Sequence, residues 1–141
     1  MDMRGRRIAF DYGDARTGVA LCDPDGILAS PLCVLESTSK DFLQQIAQLL
    51  TEHQPIRIFV GMPVNMSGSS GSSAEKVESF VKQLREITAL PIQYVDERLS
   101  TVSAQKKLKE AGVSSRQSKA LIDAMAAAAI LEQGLAREDL E

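Results

Sequence analysis

Acidic residues at three places in the chain have the types and surroundings for metal or acid–base chemistry: Asp11, the pair Asp96–Glu97, and Asp123. Asp11 ends the apolar run Ile8-Ala9-Phe10. An ionised carboxylate in such a run costs several kcal/mol unless something pairs with it. Folds keep such a group when it binds a cation or does chemistry. An Asp capping a turn is the plainer alternative, because Asp and Gly are common turn residues. Gly13 and Gly18 flank it and clear space for a backbone or a phosphate to come close. Asp96 and Glu97 close the apolar run Ile92–Val95. Asp123 lies in Leu121-Ile122-Asp123-Ala124-Met125-Ala126-Ala127-Ala128-Ala129, with Ala126, Ala127 and Ile130 on its own side at helical spacing. Such a face lets a helix approach a sheet and bring the carboxylate to it. A helix Asp turned to water is the alternative.

Taken together, the three places imply one chemistry. Strand ends in an α/β sheet converge on one rim, and a final helix can cover it. Carboxylates gathered there, with no histidine or thiolate nearby, suit hard cations such as Mg²⁺ or Mn²⁺. Two such ions about 4 Å apart form a phosphodiester-cleaving arrangement.

Cationic residues follow the acidic ones. Arg16 and Arg98 either pair with the carboxylates or contact substrate phosphate. Between Arg98 and Lys119 lie Lys106, Lys107, Lys109 and Arg116, with Glu110 as the one acidic residue of that span. The formal net charge is −3, which argues against a DNA-coating polycation. A local basic patch holds a phosphate backbone even so, although a solvated helix face has the same composition. Asn65–Ser73, beside a helix N-terminus, offers amides to a phosphate. His53 reads as a surface residue and Tyr12 as a core residue. With 4% aromatics the chain has few platforms for base stacking.

These residues need elements to hold them. Strands are expected over Arg7–Gly13, Thr17–Cys22 and Ile27–Leu35, with turns at Asp14-Ala15 and Pro24-Asp25-Gly26. Pro31 places the third strand at a sheet edge. Thr38-Ser39-Lys40-Asp41 reads as a capping box for a helix carrying Phe42, Ile46, Leu49 and Leu50, which stops before Pro55. A buried strand follows over Ile56–Val60. Ser72–Glu75 reads as a second capping box, for a helix with Val77, Phe80, Val81 and Leu84 on one face. A strand over Ile92–Val95, a polar helix over Thr101–Ala111 and a last helix from Ser114 or Ser115 to about Ala136 complete the chain. The order βββαβαβαα gives a mixed sheet flanked by helices in a single domain over residues 1–141.

Size and composition agree. A chain of 141 residues with 44% apolar and 25% charged content suits one globular core. No apolar run approaches the roughly 18 residues needed to span a bilayer, so no membrane partner is expected. The basic start leads into a strand without the h-region of a signal peptide. Cys22 and Cys33 show no metal spacing and are not expected to face each other across the hairpin. A reduced, cytoplasmic protein is the expectation.

Asp11-Tyr12-Gly13-x-x-Arg16-x-Gly18-Val19-Ala20, then Val60-Gly61-Met62-Pro63, then Val95-Asp96-Glu97-Arg98-Leu99-Ser100-Thr101, then Asp123-x-x-Ala126-Ala127-x-x-Ile130-Leu131 resembles the YqgF family. Its members are named as pre-16S rRNA nucleases or Holliday junction resolvases. The resemblance runs through nearly the whole chain in order. It implies a ribonuclease H-like α/β fold with a five-stranded sheet of order 3-2-1-4-5, in a bacterial cytoplasmic protein. By match of motif it implies that Asp11, Glu97 and Asp123 are the catalytic metal ligands. Asp96 alternates to the opposite face from Glu97. Met62, Cys22 and Ser100 stand where the family frequently has Leu, Ser and Thr, and none of them is an expected ligand.

The expected activity is hydrolysis of phosphodiester bonds in structured nucleic acid, with Mg²⁺ or Mn²⁺, by a monomer or weak homodimer. The substrate is structured RNA, as in 5′-end maturation of pre-16S rRNA, or branched DNA at a four-way junction. Arg16, Arg98, Lys106, Lys107 and Lys109 are the expected substrate contacts. A kinase of the actin and sugar-kinase type also uses an Asp-x-Gly hairpin, but it needs a second lobe that this length does not supply. A non-catalytic RNA-binding or transcription-associated module would keep the basic patch without needing the three carboxylates together.

Overall fold

The computed structural model describes residues 5–63, 72–96 and 115–139. The elements in chain order are β1 (Arg7–Asp11), β2 (Arg16–Cys22), β3 (Ala29–Glu36), α1 (Phe42–His53), β4 (Arg57–Met62), α2 (Ser72–Ile87), β5 (Ile92–Asp96) and α3 (Ser115–Asp139). The five strands form one sheet of order β3-β2-β1-β4-β5. β1, β2 and β3 are antiparallel neighbours, whereas β4 and β5 run parallel to β1. This is the mixed sheet expected from a hairpin meander followed by βα units.

Strand alternation divides the core in two. Ile8, Phe10, Val19, Ile58 and Val60 face α1 and α2, where Phe42, Ile46, Val77, Phe80, Val81 and Leu84 meet them. Ala9, Ala20, Cys22, Phe59 and Val95 face α3, against Ala127, Ala128, Ile130 and Leu131. The first layer is built from large side chains and the second largely from small ones. Small residues on both sides let a helix approach a sheet closely, and each such contact adds dispersion attraction.

The strand ends differ slightly from the expectation. β1 stops at Asp11 rather than Gly13, because the chain turns tightly there: a Cβ at Gly13 would lie 2.6 Å from the carbonyl oxygen of Arg16. β3 is an edge strand, and its ladder with β2 is irregular between Val19 and Ala20, where Pro31 lies opposite Ala20. Proline has no N–H to give a ladder, so an irregular edge position suits it.

The box expected at Thr38–Asp41 does not cap α1. Asp41 is the N-cap and makes no side-chain cap bond. Instead the Asp41 N–H donates to Ser39 Oγ and the Phe42 N–H to the Ser39 carbonyl, which closes a turn just before the helix. At the other end Gln54 takes a left-handed conformation, φ 48°, and its N–H bonds to the Leu50 carbonyl before Pro55. α3 runs to Asp139, a little past the expected Ala136. The expected polar helix over Thr101–Ala111 lies outside the described residues.

Cys33 sits opposite Val19 and Cys22 opposite Ala29, and both thiols are free, as their positions around the hairpin predict. Tyr12 packs in the core, its ring stacked on Phe80 with centroids 4.6 Å apart. Among the described residues no helix is long and apolar enough to cross a membrane.

Candidate active site

The site is built at the carboxyl ends of the parallel strands. Asp11 ends β1, the central strand, and alternation from Ala9 points it to the α3 face. Its cross-strand partner in β2 is Gly18. A Cβ built on Gly18 would run into the backbone carbonyl of Asp123. The final helix therefore rests its backbone on β2 at the position beside Asp11. Any larger residue at 18 would push α3 away. Glycine is required here for close approach rather than for an unusual φ.

The rest of α3 maintains this seating. Ala126, Ala127, Ile130 and Leu131 are fully buried against the sheet. Further along, a Cβ on Gly134 would lie 2.7 Å from the Phe59 ring. Asp123 is thus carried on a helix whose distance from the sheet is set by small residues on both sides. Its carboxylate is turned neither into the apolar layer nor simply to water: Arg16 Nε–H donates to Asp123 Oδ2 at 2.8 Å. The side chains are 42% and 24% exposed, respectively.

Asp96 is the last residue of β5 and lies opposite Met62 of β4. Its neighbour Val95 belongs to the α3-facing layer, whereas Ile92 packs with the α1 and α2 layer. Alternation therefore sends Asp96 to the face away from Asp123. Glu97, Arg98, Lys106, Lys107 and Lys109 lie outside the described residues, as does the loop over 64–71. Among the described residues no group of three His, Cys, Asp or Glu side chains is placed to hold a metal ion.

Two ion-pair features, one on the rim and one at the opposite end of the sheet, carry no signal in the sequence pattern. Lys76 near the start of α2 pairs with Asp14 in the β1–β2 turn, Nζ to Oδ2 2.8 Å, with both side chains exposed. The pair with Asp14 raises the Lys76 pKa. At the far end of α3, Glu138 is held by Arg7 and Arg57, the first residues of β1 and β4, at 3.0 and 2.8 Å. Arg7 and Glu138 are almost fully buried there. Arginines at a helix carboxyl end also meet the negative end of its dipole.

Comparison with known proteins gives this arrangement a family. A model of the RuvX family, described as Holliday junction resolvase, matches residues 5–137. A Streptomyces coelicolor protein named "Putative pre-16S rRNA nuclease" is 43% identical over 137 residues, covering 96% of this chain and 82% of that protein. The chain belongs to the RuvX family. A relative of the same name from Mycobacteroides abscessus is 43% identical over 136 residues, covering 94% and 81%. The family resemblance read from the sequence is thereby borne out over nearly the whole chain. Among solved structures, "T. thermophilus RuvC in complex with Holliday junction substrate" superposes with a TM-score of 0.54 at 17% identity, covering 92% of this chain and 96% of that one. A second Thermus thermophilus RuvC structure gives 0.55 at 14% identity, covering 95% and 96%. At that identity the likeness concerns the fold, and this RuvX protein has the ribonuclease H-like architecture.

Proposed function

We propose that this protein is a divalent-metal-dependent nuclease that hydrolyses phosphodiester bonds in structured nucleic acid, with maturation of the 5′ end of pre-16S rRNA as its reaction. The observation that carries this reading is the seating of Asp123 on Gly18, the cross-strand partner of Asp11, in a chain of the RuvX family. Relatives about 42–43% identical that are named for pre-16S rRNA support the substrate.

Asp11 and Asp123 are both hard oxygen donors, and the described rim between them has no histidine or thiolate. That donor chemistry fits Mg²⁺ or Mn²⁺, which are commonly bound by one or two carboxylates together with substrate phosphates. Asp11, Asp123 and Glu97 are the residues that would hold it. When bound, the ions supply an activated water and positive charge for the leaving oxygen. The protein holds the carboxylates in place on rigid elements despite their mutual repulsion. The strand end fixes Asp11 and the close helix–sheet contact fixes Asp123. Arg16 supplies a cation on the same rim, and Arg98, Lys106, Lys107 and Lys109 are proposed to follow the phosphate backbone. Such contacts position a substrate without reading its bases.

Cleavage of a four-way DNA junction is the second reading, favoured by the description of the family whose model matches residues 5–137. Two cuts related by a two-fold axis would require a dimer. Cleavage of a pre-16S rRNA 5′-end fragment and of a four-way junction, side by side with Mn²⁺ and with chelator, distinguishes the two. The proposal predicts metal-dependent cleavage of the RNA at its maturation site. Cleavage confined to the junction would transfer the assignment to DNA.

A further inference from the structure

Arg16 lies where the proposed site needs an open carboxylate. Its Nε–H donates to Asp123 Oδ2, the one side-chain hydrogen bond it makes among the described residues. One edge of the guanidinium is engaged, and its remaining donors stay available on a side chain that is 42% exposed. A half-exposed ion pair of this kind is weak and easily broken. Glu36, the cross-strand partner of Arg16 in β3, is exposed and offers the arginine a second carboxylate at little cost. Gly18, two residues on, keeps the backbone of α3 in place whether or not Arg16 holds Asp123.

We propose that Arg16 is an exchangeable countercation of the site. It holds Asp123 when no metal is bound and leaves it when a divalent cation enters, and its guanidinium is then free to take a substrate phosphate. This rests on the reading of Asp123 as a metal ligand. In the metal-free protein the guanidinium offsets the negative charge of Asp123. An arginine suits the exchange because it stays charged and its planar donor set matches carboxylate and phosphate alike. Metal entry and phosphate capture are then coupled through one side chain.

The experiment is calorimetric titration of the full chain with Mn²⁺ alone, without nucleic acid. Arg16→Gln should bind Mn²⁺ about twofold to fivefold more tightly than wild type, the range set by losing competition from an exposed pair. Arg16→Lys keeps the charge and should stay near wild type. Lys76→Gln removes an equal charge from the same rim and should change affinity less than Arg16→Gln. Asp123→Asn should lose this binding. A second readout is thermal unfolding: Arg16→Gln should melt lower than wild type without metal, and saturating Mn²⁺ should close that gap. Affinity in Arg16→Gln that is unchanged, weaker, or raised no more than in Lys76→Gln overturns the exchange, as does a melting gap that persists with Mn²⁺. Mn²⁺ binding that survives Asp123→Asn overturns the metal-site reading, and the exchange with it.

Discussion

Gly18 lies directly beneath the backbone carbonyl of Asp123, with no room for a side chain between strand and helix. The helix position, and with it the placement of Asp123 over the cross-strand partner of Asp11, depends on that missing Cβ. Gly18→Val should therefore destabilise the fold by about 1–3 kcal/mol, as overpacking does. It should also weaken Mn²⁺ binding more than stability alone accounts for. Denaturant unfolding and a metal titration on the folded fraction measure the two effects. A stable Gly18→Val variant with wild-type metal affinity would mean that the close contact does not position Asp123.

The opposite end of α3 makes a separate prediction. Glu138 sits about 22 Å along the helix from Asp123, from the rise of 1.5 Å per residue. It satisfies Arg7 and Arg57 together. Glu138→Gln leaves a buried guanidinium without its counter-charge and should cost about 2–4 kcal/mol. Because the network is remote from the rim, cleavage per folded molecule should change little. Unfolding in urea tests the first statement and single-turnover cleavage at low temperature the second. A stability loss below about 0.5 kcal/mol would class the network with ordinary surface pairs.

The basic segment is tested through salt. Replacing Lys106, Lys107 and Lys109 with Ala should weaken nucleic-acid binding and flatten its salt dependence, since each lost phosphate contact retains counterions. Mn²⁺ affinity should stay as it is. Titrating a labelled structured RNA and a labelled junction at two salt concentrations gives both slopes. Equal affinities and equal slopes would make the three lysines a solvated face.

Much of this was readable from the chain because the relevant patterns are local. The mixed sheet follows from a hairpin meander and βα alternation, and the edge position of β3 from a proline at 31, whereas the strand order came from the family resemblance. That Asp96 and Glu97 face opposite ways follows from the two-residue period of a strand, but which of them faces Asp123 needed the register of β5 in the sheet. The alanine face of α3 announced a close helix–sheet contact, and Gly18 announced a close approach without saying by what. Contacts between residues far apart in sequence left no such trace. Arg16 could have met a carboxylate or a phosphate, and only the fold brings it to Asp123. Nothing in the sequence links Arg7, at the start of the first strand, to Glu138, 131 residues on, yet they form a buried pair. Ser39, which closes a turn instead of joining a capping box, shows how one residue type serves two competing local geometries.

The buried thiol gives a pH dependence. Burial raises the Cys22 pKa above its ordinary 9.0, and the Arg7 N–H donates to its Sγ at 3.0 Å. A thiol held protonated in the folded state contributes stability that is complete below the unfolded value. That stability declines as pH rises above it, because the unfolded chain then ionises more readily. Melting temperature should fall between pH 8 and pH 10, and Cys22→Ala should reduce the fall, at whatever baseline stability it has. An equal fall in both proteins would remove Cys22 from the alkaline transition.

The central claim is that Asp11 and Asp123 act together in metal-dependent cleavage, and the most direct measurement is cleavage by Asp11→Asn and Asp123→Asn beside wild type. The substrate is a pre-16S rRNA 5′-end fragment, with Mn²⁺ and with excess chelator, and far-ultraviolet circular dichroism checks the fold. Wild type should cleave with Mn²⁺ and stop with chelator. Both variants should remain folded and lose at least about two orders of magnitude in rate, the scale of removing a group that holds charge at the reacting centre. Folded variants that cleave at the wild-type rate, or wild-type cleavage that persists in chelator, would contradict the account.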